Sequence, residues 1–97
     1  MTLHTAFRAS LVDVIAAPGV LSEAGITPLD FDGRPTDQPT VLAWMPAASV
    51  YFHDPDGNLL EYLAMLPQAP RPECGVVPWQ MWKRMQGDIP PGDGSEP

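Results

Sequence analysis

The hydrophobic pattern changes from an alternating to a helical period within the first 25 residues. Residues 3–9 (LHTAFRA) alternate between two faces, which predicts a β-strand with one apolar face. Ser10 is a suitable N-cap, and apolar residues at helical spacing predict a helix over residues 11–25. Because Pro18 lies inside that span, we expect a kink or a fresh helix start there rather than a straight helix.

Short runs rich in β-branched and aromatic residues follow the helix, separated by polar or proline-containing turns. They predict strands over residues 27–31, 40–45, 49–53 and 58–66, with a turn at residues 46–48. This order, a strand–helix–strand opening followed by a meander, indicates an α+β fold. With the short run at residues 27–31 set apart as an edge strand, because it contains Pro28, the remaining elements give a βαβββ module with a small mixed or antiparallel sheet and one helix on one face. Nothing in the chain covers the other face, so we expect it to form a cavity, a dimer contact, or both.

The turn at residues 54–57 (DPDG) is the sharpest local signal in the chain. Its Asp, Pro and Gly suit a type I turn closed by a glycine bulge. That turn pairs Tyr51 with Glu61 and Ser49 with Leu63. Directly paired residues lie on the same side of a sheet, so these four side chains are predicted to share one face.

The rest of the chain has a different composition. Residues 67–78 are proline-rich and extended, and residues 79–85 (WQMWKRM) have the spacing of a short closing helix. Residues 86–97 are rich in proline, glycine and acid, which is typical of a disordered tail. We therefore divide the chain into a βαβββ module over residues 1–66, a proline-rich segment with a short helix over residues 67–85, and the tail.

Length and charge narrow the function. A chain of 97 residues permits one domain, whose small core would gain from a partner chain. Five Lys and Arg against twelve Asp and Glu exclude nucleic acid and anionic membranes as natural partners. The sequence has neither a signal peptide nor a run of transmembrane length, so a cytoplasmic protein is the expectation. Cys74, the single cysteine, is interpreted as an ordinary thiol.

Three segments carry a resemblance to a known family. They are SVYFHDPDGNLLEYL (49–63), HTAFRAS (4–10) and RPECGVVPW (71–79). Together with the element order, they resemble a C-terminal-type module of the vicinal oxygen chelate superfamily. That superfamily includes glyoxalase I, the bleomycin-resistance proteins and the extradiol dioxygenases. The longer stretch WMPAASVYFHDPDGNLLEYLAML (44–66) also resembles a glyoxalase-like subgroup of that superfamily, as does the segment RPECGVVPW.

The resemblance implies a role for each matched residue. Glu61 and His4 match metal ligands, and imidazole with carboxylate suits zinc, nickel, manganese or iron. In the glyoxalase branch the metal-bound Glu also shuttles protons, which makes Glu61 the candidate catalytic base. Tyr51 matches a cavity-lining position, and Ser49 is the next residue on its face. Arg8 shares the face of His4 and is a candidate partner for an anionic substrate group.

Members of the superfamily normally carry two such modules, with the metal in the cleft between them. This chain resembles only the second, so His4 and Glu61 form half of a ligand shell. A homodimer would supply both residues twice, near its two-fold axis, and would cover the open face of the sheet. We therefore expect a homodimer with a shared divalent metal ion and a small oxygen-bearing substrate, acting in lyase or isomerase chemistry.

Two alternatives stay open. The chain could be a metal-free binding protein of the bleomycin-resistance type, since its acidity and tryptophans suit a cationic aromatic ligand. It could also be an inactive half-length module. Several other polar and aromatic residues are interpreted without a functional role. His53 is read as a solvated turn residue, Trp44, Trp79 and Trp82 as packing residues, and Asp30, Asp32 and Asp37 as solvated loop acids.

Overall fold

A computed structural model describes residues 4–86, apart from the side chain of His4. The elements are β1 (His4–Arg8), α1 (Leu11–Glu23), β2 (Thr40–Leu42), β3 (Ala47–His53), β4 (Leu59–Met65), a 3-10 turn (Pro72–Cys74), β5 (Val76–Pro78) and α2 (Trp79–Met85). The five strands form one mixed sheet in the order β1-β4-β3-β2-β5. β1 runs parallel to β4, and the remaining pairs are antiparallel. The predicted α+β class is confirmed, and the arrangement is compatible with a βαβββ module.

Helix α1 begins and ends where its sequence predicts. The Ser10 side chain accepts a hydrogen bond from the Asp13 N–H at 3.1 Å. Gly25 has a φ of 81°, and the N–H of Ile26 donates to the Leu21 carbonyl at 2.8 Å, which is the geometry of a Schellman stop. The helix passes through Pro18 without interruption, so a fresh start at Pro18 is wrong.

Both helices pack on one face of the sheet. α1 contacts β3 and β4, while α2 contacts β5 and β2. The core between them contains Val14 and Leu21 from α1, Val41 and Val50 from the central strands, and Trp82 from α2. Trp82 is therefore a core residue, as its spacing predicts, and it is only 1 % exposed.

The hairpin between β3 and β4 confirms the predicted turn and register. The Gly57 N–H donates to the Asp54 carbonyl at 2.9 Å, and Gly57 has a φ of 85°, which favours glycine. The Asp54 carboxylate accepts from the N–H groups of Asn58 and Asp56. These bonds, that of Asn58 first, lower the pKa of Asp54. The strands pair Tyr51 with Glu61, Phe52 with Leu60 and Ser49 with Leu63.

Two predicted strands are shorter than the sequence suggests. The strand over residues 27–31 is reduced to bridges from Leu29 to Pro35 and Tyr51. Pro28 lacks an N–H, and the Asp30 carboxylate bends the chain by accepting from two backbone N–H groups farther on. The strand over residues 40–45 ends at Leu42.

The turn predicted over residues 46–48 lies earlier, over residues 43–46, and contains a cis Met45–Pro46 peptide. Residues 47–48 belong instead to β3, which starts at Ala47. β5 was expected only as extended chain, whereas the predicted closing helix is confirmed as α2.

The predicted disordered tail falls mostly outside the described residues. Gln86 caps the end of α2, and residues 87–97 lie beyond it. Over residues 4–86, neither helix has the length and apolar character needed to cross a bilayer.

Candidate functional site

The candidate site lies on the sheet face that carries no helix. Alternation and register place three rows of residues across β1, β4 and β3 on this face. The rows are His4–Leu59–His53, Ala6–Glu61–Tyr51 and Arg8–Leu63–Ser49. All five residues predicted for the site therefore belong to three adjacent rows on one face, even though they are spread over three strands.

Glu61 and Tyr51 form a buried polar pair in the middle row. Glu61 is 5 % and Tyr51 6 % exposed, although Glu is among the residues least often buried without a partner. Burial, the negative charge of Glu61 and the hydrogen bond that the phenol donates to Glu61 raise the pKa of Tyr51. Tyr51 is therefore a neutral donor to the Glu61 carboxylate.

Ser49 adds a second hydroxyl to this pair. Its side chain is fully buried, and its hydroxyl, which lies near the Tyr51 phenol, acts in the opposite direction by lowering the pKa of that phenol. Ser49 Oγ nevertheless has no well-formed hydrogen bond in the described part of the chain. The contact with the phenol is thus a long or poorly aligned one. A buried hydroxyl left in that state is suited to bind a ligand atom or a water molecule.

The Tyr51 phenol predicts a loss of stability in alkali. The unfolded chain ionises tyrosine near a pKa of about 10, whereas burial and Glu61 hold the folded pKa of Tyr51 higher. Above pH 10 the unfolded state therefore releases a proton that the folded state keeps. We expect the free energy of unfolding to fall by up to about 1.4 kcal/mol per pH unit.

Urea titrations between pH 8 and pH 11 measure this slope, with Tyr51→Phe as the comparison. The slope should be smaller in Tyr51→Phe, because phenylalanine has no proton to lose. Equal slopes in the two proteins would contradict the raised pKa.

The remaining predicted residues lie at the edge of the site. His4 opens β1 and pairs with Leu59, and its side chain lies outside the described part. Arg8 is exposed on the same edge strand, in the row of Ser49. No group of three or more metal-ligating side chains comes together within the described residues. The predicted roles of His4, Arg8, Ser49, Tyr51 and Glu61 stay predictions.

An aromatic wall beside the site was not predicted from the sequence. Phe31 packs edge to face on Trp44, with ring centroids 6.3 Å apart, and on Tyr51, at 6.2 Å. Phe31 is 48 % and Trp44 44 % exposed, so both rings also face solvent. Trp44 was interpreted only as a packing residue. The sequence did contain a signal for this position. Trp44 lies two residues after Leu42, and Leu42 pairs with Ala47, which is on the same face of β3 as Ser49, so alternation assigns Trp44 to that face.

Comparison with solved structures gives a likeness of fold. The fold is similar to the crystal structure of an integron cassette protein from the mobile metagenome of the Halifax Harbour sewage outfall. The TM-score is 0.56 at 28 % identity, and the match covers 67 % of this chain and 49 % of that chain. The matched part thus spans about half the length of that protein. No family model and no curated protein matches the sequence.

Proposed function

We propose that the chain is a glyoxalase-like member of the vicinal oxygen chelate superfamily that binds a divalent metal ion and a small oxygen-bearing substrate between two copies of itself. The observation that carries the proposal is the buried Glu61 on the helix-free face, which accepts a hydrogen bond from Tyr51. Glu61 lies on β4, and the neighbouring strand β1 begins with His4. The order β1-β4-β3-β2, with β1 parallel to β4, supports it because it is compatible with a βαβββ module.

The donor set suits a metal ion only when two chains contribute. One chain offers the Glu61 carboxylate and the His4 imidazole, and borderline ions such as zinc or nickel prefer four or more ligands of these types. His4 lies on β1, an edge strand of the described sheet, so a second copy can approach it. The bound ion would polarise adjacent oxygens of the substrate.

Within such a site, the residues of this chain have separate tasks. A carboxylate has two oxygens, so Glu61 can accept from Tyr51 and still bind a metal ion or take a proton from substrate. Tyr51 holds the carboxylate in place, and its high pKa keeps it a donor throughout the physiological range. Ser49 offers its hydroxyl to a substrate oxygen, and Arg8 attracts an anionic group at the rim.

Elemental analysis of the purified protein, combined with its oligomeric mass, tests the proposal. We expect a dimer that retains about one zinc, nickel, manganese or iron ion per two chains, as a shared two-fold site requires. A monomer that retains no metal after purification and takes none up from a solution of these ions would rule the proposal out.

The aromatic wall favours a second candidate function, the metal-free binding of a planar cation. Half-exposed Phe31 and Trp44 offer ring faces, and the net charge of −7 attracts cations. A metal-free dimer in which a planar aromatic cation quenches tryptophan fluorescence would support this function over the first.

A further inference from the structure

An open groove runs along one side of α1, on the sheet face opposite Glu61. Its volume is about 390 Å³, which falls within the range of small-molecule sites. Helix α1 forms one wall of the groove, and Ala9 and Tyr62 form the other. Tyr62 pairs with Val50, a residue of the core beneath the helices, so its ring lies on the helix side of the sheet. The groove is therefore separate from the candidate functional site.

The helical wall of this groove is apolar except at one end. Its lining residues on α1 recur at helical spacing, which places them in one row: Asp13, Ala16, Ala17, Val20 and Leu21. The row is about 12 Å long, at about 1.5 Å per residue. Among the described residues that line the groove, Asp13 carries the only charge, and it lies at the end where the helix begins. A ligand that matches this wall has a charged head and an apolar body.

The sign of that charge selects a cation. Over residues 4–86 the Asp13 carboxylate forms no ion pair, and Arg8, the basic residue that precedes the helix, belongs to the opposite face of the sheet. The N-terminus of a helix carries about half a positive elementary charge, which the full negative charge of an aspartate outweighs. The net charge of −7 adds a field of the same sign as Asp13. The groove therefore attracts cations and repels anions.

Small side chains and a fixed aromatic ring keep the groove open. Ala9, Ala16 and Ala17 all line it, and larger residues at these positions would fill it. The Tyr62 ring is held from two sides, with its centroid 5.2 Å from that of Phe52 and 6.4 Å from that of Phe7. Because these walls are formed before a ligand arrives, binding requires little reorganisation of the chain.

We propose that the groove binds an elongated amphiphilic ammonium ion, a small molecule with one protonated amine and an apolar chain about as long as the row of lining residues. The ammonium group donates hydrogen bonds to the Asp13 carboxylate. The apolar chain lies along Ala16 and Val20 toward Leu21 and removes their side chains from water. A neutral apolar molecule would leave the Asp13 charge without a partner, and an anion would meet a charge of its own sign.

This site is separate from the proposed function and does not depend on it. α1 packs on the sheet face opposite Glu61, so a ligand in the groove leaves the Glu61 face open. Phe31 contacts Tyr51 on the Glu61 face, so the aromatic wall is also a different site. The two failures are distinguishable, because loss of ammonium binding leaves the metal content per chain unchanged, and absence of metal leaves the groove intact.

Isothermal titration with n-octylammonium, n-octanol, n-octanoate and n-butylammonium tests the head and the chain of the ligand separately. We expect n-octylammonium to bind at least about tenfold more tightly than n-octanol or n-octanoate, because only the ammonium pairs with a carboxylate. n-Butylammonium, which has the length of a lysine side chain, should also bind at least about tenfold more weakly, since four half-buried methylene groups contribute about that factor. Absence of n-octylammonium binding, or equal affinity for any of the other three probes, would overturn the proposal.

Two variants locate the binding in the groove. Asp13→Asn keeps the shape of the side chain and the backbone N–H that Ser10 caps, and should weaken n-octylammonium binding about tenfold. Ala16→Leu fills the groove at an exposed helical position and should weaken binding at least as much. Glu23→Gln is the matched control, because it removes one negative charge from the same helix outside the lining. Circular dichroism verifies that all three stay folded. Wild-type affinity in Asp13→Asn or Ala16→Leu, or an equal loss in Glu23→Gln, would contradict binding in this groove.

Discussion

If the proposed metal site exists, Glu61→Gln is expected to reduce its affinity for a divalent ion by at least about 100-fold, since even residues that only orient a metal ligand contribute about 10- to 100-fold. In the proposed site Glu61 is the only anionic ligand that each chain supplies, so the variant removes both carboxylates of the dimer. Glutamine has nearly the same shape, and its amide oxygen accepts the hydrogen bond of Tyr51. The substitution should therefore weaken metal binding without unfolding the chain.

Isothermal titration with zinc and nickel measures this effect, and Glu73→Gln is the matched control. Glu73 is also acidic, but it is exposed and contacts only Arg71, at 3.8 Å, among the ion pairs of the described residues. Glu73→Gln removes one negative charge, as Glu61→Gln does, at a position outside the candidate site. Wild-type affinity in Glu61→Gln, or an equal loss in the two variants, would mean that Glu61 is not a ligand.

Glu61→Gln should also leave the domain at least as stable as the wild type in the absence of metal. A buried carboxylate is costly to desolvate, whereas a neutral amide costs less. Stability and metal affinity therefore change in opposite directions at this residue, which separates a functional role for Glu61 from a structural one.

The hairpin that positions Glu61 was predictable because its chemistry is local. Asp54, Pro55 and Gly57 specify the turn within four residues, and the turn fixes the register of both strands. The facing of Tyr51 and Glu61 follows without information from the rest of the chain. The depth of their burial did not follow, because it depends on contacts from distant segments such as Leu29 and Phe31.

The segment after α1 was predicted least well, because its structure depends on contacts with distant parts of the chain. Residues 27–31 have strand-like composition, but Pro28 lacks a donor and the Asp30 carboxylate competes for the backbone. Only Leu29 joins the sheet, through Tyr51. The same turn brings Phe31 to Trp44, a contact between residues thirteen positions apart that no local pattern encodes.

Trp82→Ala is expected to be the most destabilising of the substitutions considered. Trp82 anchors α2 to the core and is 1 % exposed. Replacing a buried tryptophan with alanine costs about 3–5 kcal/mol, while whole domains are stable by about 5–15 kcal/mol, with short chains at the low end. The variant should therefore be largely unfolded at 37 °C and should lose the pairing of β5 with β2, because α2 follows β5 directly.

Trp82→Phe separates the packing of this side chain from its polarity. The indole Nε1 of Trp82 is buried and has no hydrogen-bond partner among the described residues, and an unpaired buried donor costs about 1–3 kcal/mol. Phenylalanine leaves a smaller cavity and removes that donor, so it should recover most of the stability lost in Trp82→Ala. Urea unfolding followed by circular dichroism measures both, with Trp44→Ala as the control, since Trp44 is 44 % exposed on the other face. If Trp82→Ala were no more destabilising than Trp44→Ala, α2 would not be part of the folding unit, and the small core would have to be stabilised by the partner chain instead.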